Sequence, residues 1–89
     1  MCAQRVKSVR YSYHSLSQMA ERGVAREEVE EAILRGEKVP AKKGRLSFRL
    51  NFQYGQLWGG KWYHIKQVLP IVKEEDDFFM VITVYAFYF

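Results

Sequence analysis

Residues 78 to 89 read Phe-Phe-Met-Val-Ile-Thr-Val-Tyr-Ala-Phe-Tyr-Phe, twelve consecutive positions rich in β-branched and aromatic side chains with no Gly or Pro. Side chains of this kind suit a pleated surface packed on both sides, so the stretch predicts a central β-strand around which the chain must assemble. It is too short for a membrane-spanning helix, which takes about 20 apolar residues. Alternation places Met80, Ile82, Val84 and Ala86 on one face, the expected core side, and Val81, Thr83, Tyr85 and Phe87 on the other. Thr83 and Tyr85 are the polar groups in the middle of the strand, which marks the second face as one where hydroxyls have a use.

Upstream, residues 5 to 13 alternate Val6, Val9, Tyr11 and Tyr13 with basic or polar positions, the pattern of a short edge strand. His14-Ser15 then opens a helix with Leu16, Met19, Ala20 and Gly23 at helical spacing and Gly23 as its C-terminal cap. Ser15, Gln18 and Arg22 share its polar flank, so Arg22 faces whatever lies beside the helix. A second helix over residues 26 to 35 carries Val29, Ala32, Ile33 and Gly36 as its stripe. Glu27, Glu28, Glu30 and Glu31 face solvent, with Arg35 placed to pair with Glu31.

From residue 37 the period changes to two. After a short strand near residues 38 to 41, residues 45 to 54 alternate strictly: Leu46, Phe48, Leu50, Phe52 and Tyr54 against Arg45, Ser47, Arg49, Asn51 and Gln53. A hairpin loop at residues 55 to 60 carries Trp58. The next strand, residues 61 to 72, puts Tyr63, Ile65, Leu69 and Ile71 on the core side and Trp62, His64, Lys66 and Val68 on the other, with Pro70 weakening its far end. The four carboxylates of residues 74 to 77 read as a solvated turn rather than a metal site, because no second ligand cluster accompanies them.

This order predicts a single α+β domain over residues 1–89, with two N-terminal helices on one face of a mainly antiparallel sheet of three to five strands. The opposite face would display Arg45, Arg49, Asn51, Trp62, His64, Lys66, Thr83 and Tyr85. Charge supports a use for it. The net charge is +4, and between Glu37 and Glu74 there is no acidic residue, while Lys38, Lys42, Lys43, Arg45, Arg49, Lys61, Lys66 and Lys73 fall there. Such segregation gives either a positive field that attracts phosphate chains or a plain solvated basic face. The same face carries Phe79, Val81 and Phe87, for which a partner protein or a second copy of the chain is a candidate cover. The lone Cys2 and the lack of an apolar leader point to a cytoplasmic chain without disulfides.

Tyr13-His14-Ser15, then Gln18-Met19-Ala20-Glu21-Arg22-Gly23-Val24, Glu27-Glu28-Val29-Glu30 and Gly36-Glu37 resemble the opening signature of the domain-of-unknown-function 4258 family. Val81-Ile82-Thr83-Val84-Tyr85 resembles its closing strand, so the likeness covers nearly the whole chain; Ser15 stands where an alanine is more usual. The resemblance implies a RelE-like toxin fold of the barnase, EndoU, colicin and RelE class, and a gene pair with an antitoxin, often one with a small zinc-binding domain. Members of that class are typically metal-independent ribonucleases. The family's polar positions fall on His14, Arg22 and Thr83.

Metal-free RNA cleavage needs a base for the 2′-hydroxyl, an acid for the leaving oxygen and fixed positive charge at the phosphate. His14 is the first choice for base or acid, against a plain role capping the first helix. His64 is the second, against a surface or stacked ring. Arg22, Arg49 and Lys66 are expected to clamp phosphate, although Arg22 is equally suited to a salt bridge with Glu21 or Glu37. Tyr85 can relay a proton or stack, and Thr83 can donate to phosphate, against ordinary sheet packing for both. Arg45 and Lys61 add charge for RNA, and Trp58 and Trp62 can stack unpaired bases. No metal or cofactor is expected, since the two histidines and one cysteine have no ligand spacing. The expectation is a toxin-like endoribonuclease acting on single-stranded RNA or ribosome-bound messenger and silenced by an antitoxin. The alternative is a non-catalytic RNA-binding or partner-binding basic module.

Overall fold

Glycine punctuation and two changes of hydrophobic period divide the chain into seven main elements. The computed structural model describes residues 8–89, so the expectations resting on Cys2 and Val6 lie outside the described residues. The elements are β1 (Ser8–Tyr11), α1 (Tyr13–Arg22), α2 (Arg26–Arg35), β2 (Glu37–Pro40), β3 (Leu46–Trp58), β4 (Lys61–Glu74) and β5 (Phe78–Tyr88), with a 3-10 turn at Lys42–Gly44. The strands form one sheet in the order β1-β5-β4-β3-β2. The C-terminal strand is therefore interior, as its composition predicts. β1 runs parallel to β5 and the other pairs are antiparallel, so the sheet is mixed.

Both helices lie on one face of this α+β fold. Met19 of α1, Val24 of the connection, and Val29, Ala32 and Ile33 of α2 close over Phe48, Val68, Val72, Val81 and Val84. Each fully buried valine contributes about 1.5–3 kcal/mol, and the contiguous cluster is what holds the layers together.

The face assignments of two strands differ from strict alternation. In β5, Thr83 pairs with Ile71 and Val81 with Val72, leaving Ile82 without a partner in a bulge. The extra residue switches sides, so Val81 and Val84 are both buried under the helices. Met80 and Ile82 are therefore not members of the buried core. In β4 the covered side carries Lys66, Val68, Pro70 and Val72, and Ile65, Leu69 and Ile71 are only half-buried. Both sides of that strand are apolar, so hydrophobicity alone could not choose between them. The expected hairpin loop is also shorter. β3 continues to Trp58, and the turn is Gly59-Gly60, with φ of 61° and 84° as a two-residue hairpin with left-handed centres requires.

α1 is fastened to the edge of β5. Ser12 caps the helix by accepting from the Ser15 backbone N–H at 3.1 Å, and its own hydroxyl donates to the Ile82 carbonyl at the bulge at 3.2 Å. β1 reaches only as far as Val81, so the rest of β5 has a bare edge. Two side chains of α1 act there in place of a strand: Gln18 Oε1 accepts from the Val84 N–H at 2.9 Å, and Arg22 Nη1 donates to the Val84 carbonyl at 2.7 Å. Gly23 ends the helix at φ 70°, where a Cβ would come within 2.5 Å of the Trp58 ring.

Candidate functional site

With both helices on one face, the other face of the sheet stays open. A shallow hollow of about 360 Å³ lies on it, lined by Ala41, Lys42, Lys43, Arg45, Ile71, Thr83 and Tyr85. Thr83 and Ile71 are cross-strand partners that form the floor. The cations come from the turn between β2 and β3, where Lys43 has φ 60° and Gly44 φ 72°. A left-handed conformation at a lysine costs about 1 kcal/mol and is tolerated where the surroundings enforce it. The turn sets Lys42, Lys43 and Arg45 around the hollow. None of their side chains, nor that of Thr83, forms a hydrogen bond or ion pair with the described residues. Three cations without a side-chain partner among the described residues and two hydroxyls around one depression offer an anion both positive charge and hydrogen-bond donors.

Arg22 borders this hollow from the other side. Its guanidinium reaches round the edge of β5, bonded to the Val84 carbonyl, and lies 5.4 Å from the Tyr85 ring centroid. The salt bridges with Glu21 and Glu37 weighed for it do not form; Glu37 pairs with Arg49 instead. His14 is exposed in the first turn of α1, and the cap of that helix is Ser12 rather than His14. Steps of four residues put His14, Gln18 and Arg22 on one stripe, the stripe whose last two members bond to β5. No histidine lines the hollow.

The other expected site residues do not gather there. Lys66 lies beneath the helices, 4% exposed, rather than on the open face. Its ammonium donates to the Gly23 carbonyl at 2.5 Å and pairs with Glu28 at 2.7 Å, with the Tyr54 and Tyr88 rings 5.6 and 6.0 Å away. Glu28 also accepts from the Ala25 N–H, so this one lysine ties the end of α1 to the start of α2. Tyr88 completes the cluster: its hydroxyl donates to the Arg22 carbonyl and its ring stacks on Trp58 at 5.1 Å. Burial pushes that hydroxyl up to about 12, with Tyr54 and Glu28 adding to the effect. Arg49 is on the open face but paired with Glu37. Lys61, Trp62 and His64 belong to the part of β4 that pairs only with β3, beyond the last β5 partner of Lys66. Five to eight residues of strand separate these three from Leu69, the partner of Tyr85, which puts them roughly 17 to 26 Å from the near edge of the hollow.

Sequence reasoning placed Arg45, Thr83 and Tyr85 correctly on the open face, and it missed the specific part of Lys42 and Lys43. The signal was present as two adjacent lysines followed by Gly44 and Arg45, a turn that concentrates charge. Among the described residues no three His, Cys, Asp or Glu side chains gather as a metal site would require, and no helix is long and apolar enough to cross a membrane.

The model of one protein family, described as a domain of unknown function (DUF4258), matches residues 11–86, a span that contains the hollow, His14 and Arg22. The chain belongs to this family. No curated protein and no solved structure matches it.

Proposed function

We propose, taking membership of the DUF4258 family as the starting point, that the protein is a toxin-like endoribonuclease that works on its open face without a resident metal. The observation that carries this reading is the meeting of Lys42, Lys43 and Arg45 with the Thr83 and Tyr85 hydroxyls, bordered by Arg22. Such an arrangement suits a phosphodiester. The cations compensate a phosphate whose charge grows in the transition state, and Thr83 donates to a non-bridging oxygen. The 2′ oxygen bonds to phosphorus as the bond to the 5′ oxygen breaks; one proton leaves the 2′ oxygen and another arrives at the 5′ oxygen. The Tyr85 hydroxyl and the His14 imidazole are the candidates for these transfers. The proposal includes a cytoplasmic location and an antitoxin as partner, as the sequence's resemblance to the RelE class implies.

Expression of the protein alone tests the reading. It should arrest growth and leave RNA fragments ending in cyclic phosphate, with chelator making no difference and with Thr83→Val, His14→Ala or Tyr85→Phe lowering cleavage at least a hundredfold. A second reading, a non-catalytic RNA-binding or partner-binding module, is favoured by the absence of any histidine from the lining of the hollow. Salt-dependent RNA affinity with no cleavage would select it.

A further inference from the structure

The hollow accounts for phosphate and leaves the rest of a nucleotide without a site. Beside it the open face carries a row of aromatic rings along β5. Tyr85 is 40% exposed and Phe87 47%, and their rings are stacked 6.4 Å apart with planes 20° from parallel. Residues two apart on a strand are about 6.8 Å apart, close to the spacing of successive nucleotides in an extended single strand. Across from Phe87 lies its partner Gln67, whose amide donates to Asn51 at 2.8 Å. That bond leaves Gln67 a carbonyl and Asn51 an NH₂ without a side-chain partner among the described residues, an acceptor and a donor for the edge of a base.

We infer that Tyr85 and Phe87, flanked by the Asn51–Gln67 amide pair, form a base-stacking subsite for single-stranded RNA whose phosphates lie in the Lys42–Lys43–Arg45 hollow. The inference rests on the proposed function and deepens it. Two features favour RNA over a protein segment as occupant. Tyr85 belongs both to the ring row and to the hollow, so the aromatic track continues into uncompensated positive charge. Arg22 lies over the other reach of the same ring, which adds a cation to the track rather than a carboxylate.

The test uses fluorescence anisotropy with two labelled probes of equal length: a single-stranded 2′-O-methyl oligonucleotide, which cannot be cleaved through its 2′ oxygen, and an abasic strand that offers phosphates alone. Phe87→Ala should lower affinity for the first about tenfold and leave the second unchanged, because stacking on one base is lost. Phe87→Leu keeps the apolar bulk without the π face and should show most of the same loss. Arg45→Ala should weaken both probes. Phe87 is half exposed, and an unchanged melting temperature confirms that its variants fold. If wild type binds the oligonucleotide and both Phe87 variants bind it as well, the subsite is wrong while RNA binding stands, and the rings belong to a protein partner. Equal losses for both probes overturn it too. If wild type binds neither probe, the proposed function falls and the subsite with it.

Discussion

Lys66 of β4 and Arg45, in the turn that leads into β3, are cations on opposite sides of one sheet, and they are used in opposite ways. On the covered side Lys66 is bonded to the Gly23 carbonyl and Glu28, the Tyr88 hydroxyl to the Arg22 carbonyl, and Gln18 to the Val84 N–H. These polar groups hold the helices to the sheet. On the open side Lys42, Lys43, Arg45 and Thr83 surround a depression and have no side-chain partner among the described residues. A basic residue in this chain is therefore informative only together with its face: the same charge is a structural tie under the helices and an unspent donor above the sheet.

Substitutions on the covered side should produce the largest losses of stability. Lys66→Met leaves Glu28 without its buried partner, and a cost of about 3–5 kcal/mol is expected in denaturant unfolding. A cost below about 1 kcal/mol would break the contrast. Gln18→Ala removes the side chain that satisfies the Val84 N–H and should cost about 1–2 kcal/mol in the same measurement, with Gln18→Glu, which keeps the acceptor, recovering part of it. The pH dependence follows from Tyr88. Its folded pKa is raised from 10.0 to about 12, so its contribution is complete below pH 10 and is lost as pH rises through 12. Tyr11, raised in the same direction by burial and by Glu30, acts with it. A melting temperature that falls over this range in wild type and falls less in Tyr88→Phe is the expected result. Arg45→Ala should change stability by less than about 0.5 kcal/mol, since Arg45 has no side-chain partner among the described residues.

Much of the covered side's scaffold was legible before the structure. The helix at residues 26 to 35, the Gly23 cap and the alternation from Leu46 to Tyr54 all appear as expected, because one strong periodicity governs each. β4 was assigned backwards, since Ile65, Leu69 and Ile71 offered as many apolar side chains as Val68, Pro70 and Val72; only the lysine's partner, Glu28, supplied by α2 from 38 positions away, settles it. The β5 bulge has no signature in composition, and it decides that Val81 is core and Met80 is not. Of the candidate site, Arg45, Thr83 and Tyr85 share the face that alternation gave them. Lys61, Trp62 and His64 do not join them, because they belong to the end of β4 that pairs only with β3, away from the strand that carries Thr83 and Tyr85.

The most direct test is the salt dependence of affinity for a single-stranded 2′-O-methyl oligonucleotide, compared between wild type, Lys66→Met and the combined Lys42→Ala, Lys43→Ala, Arg45→Ala variant. Each phosphate contact to a single strand adds about 0.7 to the slope of log affinity against log salt. The combined variant should be shallower than wild type by about 2, while Lys66→Met keeps the wild-type slope under conditions where it is folded. An unchanged slope in the combined variant, or an equal drop in Lys66→Met, would contradict a division of labour between the two faces of the sheet.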